Sequence, residues 1–337
     1  MMAKPRRTSS ESSLARESGM LSIIIVTWNC RKEITTCLMS LARLQNLPIE
    51  IETIVVDNGS NDGTVEYLRE SELTLKGIGM NVIYNSKNAG LSRATDQAYQ
   101  RAKGSWVLLC NPDVSFNVSF LELLRYGMSH ANAIITAEMV YDDGSVQRAV
   151  TRRFPTVTRV FFDFGYIGSF LDGRLMNHLV RKRYTYQGED FPQTVPVESP
   201  GASFLLLSRV VISNLGFIFD ARFPIWWNDV DLAQRAERAG IRRVLISSVK
   251  VEHRQGHGGV RQMESATRRY LFCRSMILYA RKWNMHPNLL QLLFVADAIL
   301  GLPLSAMVRQ SRNRGFRKAI KKSFRHSALQ VRGVMSV

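Results

Sequence analysis

The chain has few cysteines and no motif that would join them. Its four cysteines form no C-x-x-C pair, and they are Cys30, Cys37, Cys110 and Cys273. This spacing favours neither a zinc cluster nor a disulfide framework, so reduced thiols in a cytosolic protein are expected. The first 20 residues lack the apolar core of a signal peptide and are rich in Ser and Arg. Residues 1–20 are therefore predicted to be a disordered tail.

Two common nucleotide-binding motifs are also absent. No G-x-G-x-x-G follows the first apolar segment, which excludes a dehydrogenase-type dinucleotide site. No G-x-x-x-x-G-K-[ST] occurs either, which excludes a P-loop.

Acidic residues are missing from the carboxyl end. None follows Asp297, whereas nine Lys and Arg residues lie between Arg309 and Arg332, in a chain of net charge +17. Such a tail is expected to bind a polyanion, either nucleic acid or an anionic membrane surface. Because the chain has no recognised DNA- or RNA-binding motif, the membrane surface is favoured and no nucleic-acid partner is expected.

An uninterrupted apolar run of membrane-spanning length is missing as well. Residues 289–308 form an apolar run that Gln291, Asp297, Gly301 and Pro303 interrupt, which makes them marginal for a spanning helix. The pattern favours a helix broken near Pro303 that lies in the interface, with the basic stretch on anionic lipid. The protein would then be cytoplasmic and peripheral on the inner face of the cell membrane. Packing on the protein's own core, or a subunit contact, is the alternative.

What the chain does contain is a series of short apolar segments that alternate with helical patterns. This alternation indicates βαβ units and a sheet with parallel strands. The predicted strands are Leu21–Trp28, Ile51–Val56, Asn81–Tyr84, Trp106–Cys110, 201–207 and Val244–Val251. Trp106–Cys110 is uncharged throughout, which is typical of a central strand.

Polar loops follow the first four strands. Asn29, 57–64, 85–90 and 111–113 would lie at one edge of the sheet, where open α/β sheets bind ligands. A phosphate-sugar or nucleotide site is therefore predicted. The carboxylate of Asp113 suits a divalent cation, although Asn, Pro and Asp are also ordinary turn residues.

Residues 148–200 depart from this pattern. They are rich in Arg and aromatic residues and have weak periodicity. An insertion or lid over the sheet, on the acceptor side and without a second core, is one interpretation. A poorly packed surface excursion is the other.

Seven motifs occur in a characteristic order. They are Val26-Thr27-Trp28-Asn29, Val55 to Gly63, Asn88-Ala89-Gly90, Asn111-Pro112-Asp113, Gly201-Ala202-Ser203, Asn228-Asp229-Val230-Asp231-Leu232 and His253. In this order the chain resembles family 2 glycosyltransferases with the GT-A fold, and most closely their rhamnosyltransferase-like branch in bacterial polysaccharide biosynthesis. The resemblance implies an α/β fold, with a mixed, mostly parallel sheet flanked by helices over 21–285. A helical, membrane-proximal extension would follow over 286–337.

The resemblance also implies roles for individual residues. Thr27, Asn29 and Asp57 would hold the base and ribose of a nucleoside diphosphate-sugar. Asn88 and Gly90 would form the wall beside the nucleotide, and Asn111 would contribute to the same site. Asp113 and His253 would bind Mg or Mn at the diphosphate, with His257 a weaker candidate. Asp229 would be the general base, and Asp231 only a first-turn acid favoured by the helix dipole.

The implied reaction is an inverting, metal-dependent transfer of a sugar. The expected donor is dTDP-rhamnose, and the expected acceptor is a saccharide, lipid-linked through a polyprenyl diphosphate. The family usually has Glu-Asp where this chain has Asn228-Asp229. For that reason a catalytically idle assembly or binding protein with the same fold is kept as an alternative, beside a basic nucleic-acid-binding protein.

Overall fold

The computed structural model describes residues 19–44, 47, 49–165, 167, 186, 191–254, 263–312 and 316–337, without the side chains of 302–324. Residues 1–18 of the predicted tail over 1–20 lie outside these residues, as do His257 and most of the segment 166–190.

The six predicted strands occur close to their predicted positions, and the described residues contain five further strands that were not predicted. The described strands are β1 (Leu21–Thr27), β2 (Ile51–Asp57), β3 (Met80–Tyr84), β4 (Trp106–Cys110), β5 (Val114–Ser115), β6 (Ala133–Val140), β7 (Thr151–Arg152), β8 (Thr194–Pro196), β9 (Ser199–Pro200), β10 (Phe204–Ser208) and β11 (Arg242–His253).

Helices connect them. They are α1 (Arg31–Ala42), α2 (Thr64–Thr74), α3 (Leu91–Arg101), α4 (Phe120–Ser129), α5 (Val157–Phe164), α6 (Arg209–Leu215), α7 (Asn228–Arg238), α8 (Ser265–Lys282), α9 (Pro287–Arg312) and α10 (Phe316–Met335).

The main sheet is mixed, and its strand order is β3-β2-β1-β4-β10-β6-β11-β5, with β8 also paired to β11. The strands β3, β2, β1 and β4 are mutually parallel, whereas β10 is antiparallel to both of its neighbours. The predicted central strand β4 therefore has a parallel neighbour on one side only. The mixed sheet flanked by helices confirms the predicted fold class.

Both faces of β4 are buried, which explains its continuous apolar sequence. Leu108 packs into the cluster that contains α1 and α4. Val107 and Leu109 point to the opposite face and pack into the cluster that contains α3 and α6. Because successive side chains of a strand alternate between faces, one uncharged strand serves both layers of the core.

A third cluster lies among the carboxyl-terminal helices and corrects one prediction. It joins Val160 of α5, at 0% exposure, to residues of α8, α9 and α10. The predicted lid over 148–200 was expected to have no core of its own, but α5 is part of this helical core. Apolar residues of α5 recur at helical spacing only over two turns, which is too short for the sequence pattern to stand out.

The helix α9 corrects a second prediction. Pro303 was expected to break it, yet α9 continues to Arg312. α9 packs against α8 and α10, and these contacts outweigh the backbone hydrogen bond that a proline removes. The inner face of α9 has Leu290 and Phe294 at 0% exposure, so part of α9 packs on the protein's own core. None of the helices in the described part of the chain is long and apolar enough to cross a membrane.

Candidate active site

The carboxyl ends of β1, β2 and β4 meet at one edge of the sheet. Thr27, the last residue of β1, pairs in register with Asp57, the last residue of β2. Asp113 follows β4 after a short turn. The three residues are 1%, 1% and 8% exposed, respectively. The edge predicted from the strand pattern therefore exists, and these three side chains lie along it.

Thr27 and Asp57 each present an unsatisfied oxygen atom. Asp57 Oδ2 accepts hydrogen bonds from the backbone N–H groups of Gly59 and Ser60, at 3.1 and 3.0 Å. Within the described ranges, neither Asp57 Oδ1 nor Thr27 Oγ1 has a hydrogen-bond partner, although both are buried. Because buried polar atoms are nearly always hydrogen-bonded, these two neighbouring oxygens indicate a place that a polar ligand completes.

Asn29 organises the loop beside them. Its backbone is left-handed, with φ at 50°, its Oδ1 accepts from the N–H of Asn61 at 2.8 Å, and its own N–H donates to Ser60 Oγ at 2.8 Å. The two loops after β1 and β2 are thereby tied together. A groove of about 550 Å³ opens next to Asn29, along the first turns of α1.

Asn58 connects the loop after β2 with the loop after β3. Its Oδ1 accepts from Asn85 Nδ2 at 3.1 Å and from the N–H of Ala89 at 2.9 Å. Its Nδ2 donates to Asn88 Oδ1 at 3.0 Å. The predicted wall residue Asn88 is thus held in place by Asn58, which sequence reasoning did not single out. Its position directly after Asp57, in a loop rich in Asn and Asp, was the available signal.

Gly90 allows the loop after β3 to contact the segment before α7. Its φ is 86°, and a Cβ at this position would lie 2.9 Å from Pro224 O. The next residue, Leu91, donates its N–H to the same oxygen at 2.6 Å. Only glycine combines this backbone conformation with such a close approach. The predicted nucleotide wall and the segment that leads to Asp229 therefore lie against each other.

Asp113 and His253 come together although they are far apart in the sequence. Val114 of β5 pairs with His253 of β11, and the N–H of Arg254 donates to Asp113 O at 2.9 Å. This pairing places His253 Nε2 at 3.3 Å from Asp113 Oδ1. Asn111 Nδ2 lies 3.4 Å from the same ring nitrogen and donates to Ser203 Oγ at 3.2 Å. The structure thus brings together the three residues predicted for this part of the site.

Gln147 determines which ring nitrogen of His253 carries a proton. Gln147 Nε2 donates to the carbonyl oxygens of Val140 and His253, so that Gln147 Oε1 is the atom 2.9 Å from His253 Nδ1. An amide oxygen only accepts, hence Nδ1 carries a proton, and in the neutral ring the lone pair of Nε2 faces the Asp113 carboxylate. A lone pair beside a carboxylate oxygen suits a cation, and a hydrogen bond to the far ring nitrogen is typical of metal-binding histidines.

The pair is the beginning of a metal site rather than a complete one. Asp113 and His253 supply two protein ligands, and no group of three or more His, Cys, Asp or Glu residues suited to a metal occurs within the described ranges. Mg²⁺ in phosphate-transferring sites commonly has few protein ligands and takes the others from phosphate and water. The donor set therefore fits a cation that arrives with a diphosphate.

Asp229 lies at the first turn of α7 and is 9% exposed. Its Oδ1 accepts from the N–H of Val230 at 2.9 Å, and its Oδ2 forms an ion pair with Arg152 of β7. A carboxylate oxygen has two lone pairs, so each oxygen can accept one further hydrogen bond. Arg152 is a site residue that sequence reasoning missed, because it was grouped with the other arginines of 148–200.

The backbone before Asp229 is strained. Trp226 and Trp227 are consecutive residues with φ at 56° and 62°, a region that bulky residues rarely adopt. Trp227 packs against Tyr279 of α8, with ring centroids 5.1 Å apart. Strain of this kind persists only where the surroundings over-determine it, and it is common at active sites.

Asp231 lies in the first turn of α7, as predicted, and it also has buried charged partners. It is 0% exposed and pairs with Lys282 at 2.6 Å and Arg235 at 3.1 Å. Lys282 also pairs with Asp220 at 2.8 Å. Burial alone would raise the pKa of the Asp220 carboxyl, but hydrogen bonds from Arg222 and Lys282 hold that pKa well below its ordinary value.

Comparison with known proteins agrees with this geometry. The family model described as Glycosyl transferase family 2 matches residues 22–199. The N-acetylglucosaminyl-diphospho-decaprenol L-rhamnosyltransferase of Mycobacterium tuberculosis is 27% identical over 248 residues, which are 71% of this chain and 78% of that protein.

Two solved structures share the fold. A mannosyltransferase from Pyrobaculum calidifontis, in complex with GDP-Man and Mn²⁺, has a TM-score of 0.51 at 12% identity and covers 96% of this chain and 89% of its own. S. aureus TarS 1–349, in complex with UDP-GlcNAc, has a TM-score of 0.51 at 16% identity, over 92% and 90% of the two chains. The predicted GT-A fold and rhamnosyltransferase-like resemblance are therefore confirmed. Because the family model matches more than half of the chain, the protein belongs to glycosyl transferase family 2 and is a glycosyltransferase.

Proposed function

We propose that this protein transfers L-rhamnose from dTDP-rhamnose to a saccharide on a lipid diphosphate, with inversion at the anomeric carbon, in cell-surface polysaccharide synthesis. The choice of donor and acceptor is supported by the mycobacterial relative, whose name contains both L-rhamnose and a diphospho-decaprenol-linked sugar. The observation that carries the proposal is the register-paired couple Thr27 and Asp57, whose buried oxygens have no partner in the described part of the chain.

Each element of the site has a distinct part in this reaction. Thr27 Oγ1 and Asp57 Oδ1 would bind polar groups of the nucleoside. Asp113 and His253 would hold Mg²⁺ or Mn²⁺, which, when bound, neutralises the charge that develops on a departing diphosphate. The loops that Asn29, Asn88 and Gly90 organise would surround the donor.

Asp229 would accept the proton of the acceptor hydroxyl. A single inverting displacement needs one general base on the face opposite the leaving group. Asp229 Oδ2 can accept a hydrogen bond from the acceptor hydroxyl while Arg152 holds the carboxylate in a fixed orientation. The base therefore does not need the acidic neighbour that Asn228 replaces, which favours an active transferase over an idle one.

Nucleotide-dependent thermal stabilisation tests the donor site. A ligand that binds the native state raises the melting temperature, so dTDP, UDP and GDP would each be added with and without Mn²⁺. We expect a metal-dependent rise that is largest for dTDP. A larger rise with UDP or GDP would move the donor to another nucleotide sugar, and no response to any of the three would contradict the proposal.

A pair of matched variants sharpens this test. Thr27→Val removes a hydroxyl that makes no hydrogen bond within the described structure, so it should leave folding stability unchanged and weaken the response to nucleotide. Thr136→Val removes a buried hydroxyl that donates to Phe204 O at 2.8 Å. It should lower the melting temperature and leave the nucleotide response intact. A Thr27→Val variant that melts at a lower temperature but responds to nucleotide as the wild type does would show that Thr27 does not contact the donor.

A further inference from the structure

The helix α9 is apolar on two faces. The face toward the protein is buried, with Leu290, Phe294 and Ala298 at 1% exposure or less. The outer face presents four large aliphatic side chains, and these are Leu289, Leu292, Ile299 and Leu300, at 46%, 66%, 63% and 63% exposure. At 100° per residue all four fall within about a quarter to a third of the helix circumference. We call these four residues the outer stripe.

A stripe of this kind requires an explanation. Single exposed aliphatic residues are normal on soluble proteins, whereas an aligned set marks a surface that meets a partner or a membrane. The burial of one face of α9 already accounts for its packing on α8 and α10. The outer stripe therefore has a separate use.

The segment that contains the outer stripe has charge of almost one sign. From Ser265 to Met335 the sequence contains 14 Lys and Arg residues and one acidic residue, Asp297. Asp297 is 0% exposed and accepts a hydrogen bond from Gln330 Nε2 at 3.0 Å. The single carboxylate of this region is thus directed inward, and Glu264, directly before α8, is neutralised by an ion pair with Arg325 of α10 at 2.9 Å.

We propose that the outer stripe is a docking surface for an anionic lipid bilayer. The aliphatic side chains enter the boundary between headgroups and acyl chains, and the surrounding Lys and Arg residues attract anionic headgroups. A nucleic acid would use the charge but not four aligned aliphatic side chains. A second copy of the chain would bring an equally positive surface to the contact, which opposes association.

The docking surface is rigidly connected to the candidate base. Asp231 of α7 pairs with Lys282 at 2.6 Å and accepts from Trp283 Nε1 at 2.9 Å, so the carboxyl end of α8 is fastened two residues from Asp229. A lipid-linked acceptor would meet Asp229 at a set height above the bilayer. This consequence rests on the proposed function, but lipid binding itself does not.

Vesicle flotation with the full chain tests the proposal. Vesicles of phosphatidylcholine alone are compared with vesicles in which part of the lipid is phosphatidylglycerol. We expect binding to the second kind, weakened by added salt because charge contributes. The double variant Leu292→Ser/Ile299→Ser should weaken binding by roughly tenfold for each side chain, since each loses an apolar contact with the bilayer.

A matched control separates the stripe from general hydrophobicity. Leu73 and Val118 are 75% and 79% exposed and lie elsewhere on the surface, so Leu73→Ser/Val118→Ser should bind vesicles as the wild type does. Both double variants should keep the wild-type melting temperature, because all four side chains are exposed.

Three outcomes would overturn the proposal. They are failure of the wild type to bind anionic vesicles, unchanged binding of the stripe variant, and a change in oligomeric mass that accounts for the effect of that variant. If a short DNA duplex displaces vesicles from the protein, and binds the stripe variant as well as the wild type, the partner would be a nucleic acid instead. Because flotation needs no substrate, vesicle binding without a nucleotide response would contradict only the transferase proposal.

Discussion

Asp229 and Asp231 lie on the same turn of α7, and we expect their replacement by asparagine to affect different properties of the protein. Asp231 is fully buried and its carboxylate meets Lys282 and Arg235. Asp229 is 9% exposed and meets Arg152, whose side chain is 22% exposed. Asp231→Asn should therefore lower stability, and Asp229→Asn should lower turnover.

The magnitude for Asp231→Asn follows from what its partners retain. Breaking a buried ion pair costs roughly 3–5 kcal/mol. In the variant, Lys282 retains its ion pair with Asp220 at 2.8 Å, and Arg235 retains its hydrogen bonds to the carbonyl oxygens of Phe217 and Ile218. We therefore expect the free energy of unfolding to fall by about 2–3 kcal/mol, and the melting temperature by about 3–4 °C.

The magnitude for Asp229→Asn is set by chemistry. Asparagine can still accept from the N–H of Val230, and the Arg152 side chain is partly exposed, so the cost in stability should be about 1 kcal/mol. Without a general base kcat should fall by roughly 10²–10⁴-fold.

Two assays on the same preparations check this contrast. Thermal melting reports stability, and release of the nucleoside diphosphate in the presence of donor and acceptor reports turnover. Asp231→Asn should keep turnover within about tenfold of wild type well below its melting temperature. Unchanged turnover of Asp229→Asn would refute its role as the base, and an unchanged melting temperature of Asp231→Asn would refute the stability reasoning.

Three further predictions concern stability and metal binding. Gly90→Ala should lower the free energy of unfolding by about 1–3 kcal/mol, because the new Cβ would lie 2.9 Å from the backbone of Pro224 at a φ of 86°. Gly144→Ala should cost only about 1 kcal/mol, since its φ is also positive but no atom lies within 4 Å of the new Cβ. Thermal melting compares the two variants. Gln147→Leu removes the acceptor at His253 Nδ1 and should weaken Mn²⁺ affinity by roughly 10–100-fold, measured by titration calorimetry, while Gln147→Glu keeps an acceptor and should lose less. The lowered pKa of Asp220 stabilises the fold above the ordinary carboxyl pKa of about 4 and less below it. The melting-temperature deficit of Asp220→Asn at pH 6 should therefore shrink as pH falls below about 4, and a constant deficit would contradict the assignment.

Several features were predictable from the sequence because they depend on local patterns. Uncharged runs such as Trp106–Cys110 become strands buried on both faces, and the polar residues that end β1, β2 and β4 then share one edge. Thr27, Asp57 and Asp113 could be placed there without knowing any other contact, since the carboxyl ends of parallel strands lie side by side.

Only the tertiary structure decided which distant residues meet. The pairing of β5 with β11 brings Asp113 to His253, and β7 brings Arg152 to Asp229. Neither contact follows from spacing, because each depends on the order of strands in the sheet and on the antiparallel strand β10 at its centre. Burial was equally invisible in the sequence: Asp231 and Asp297 have the residue type of surface acids, yet both are 0% exposed. The sequence determined six of the strands and the edge where the site lies. The long-range packing of α7, β7 and the carboxyl-terminal helices determined the partner of each charged group, because helices and strands meet through contacts that no short stretch of sequence contains.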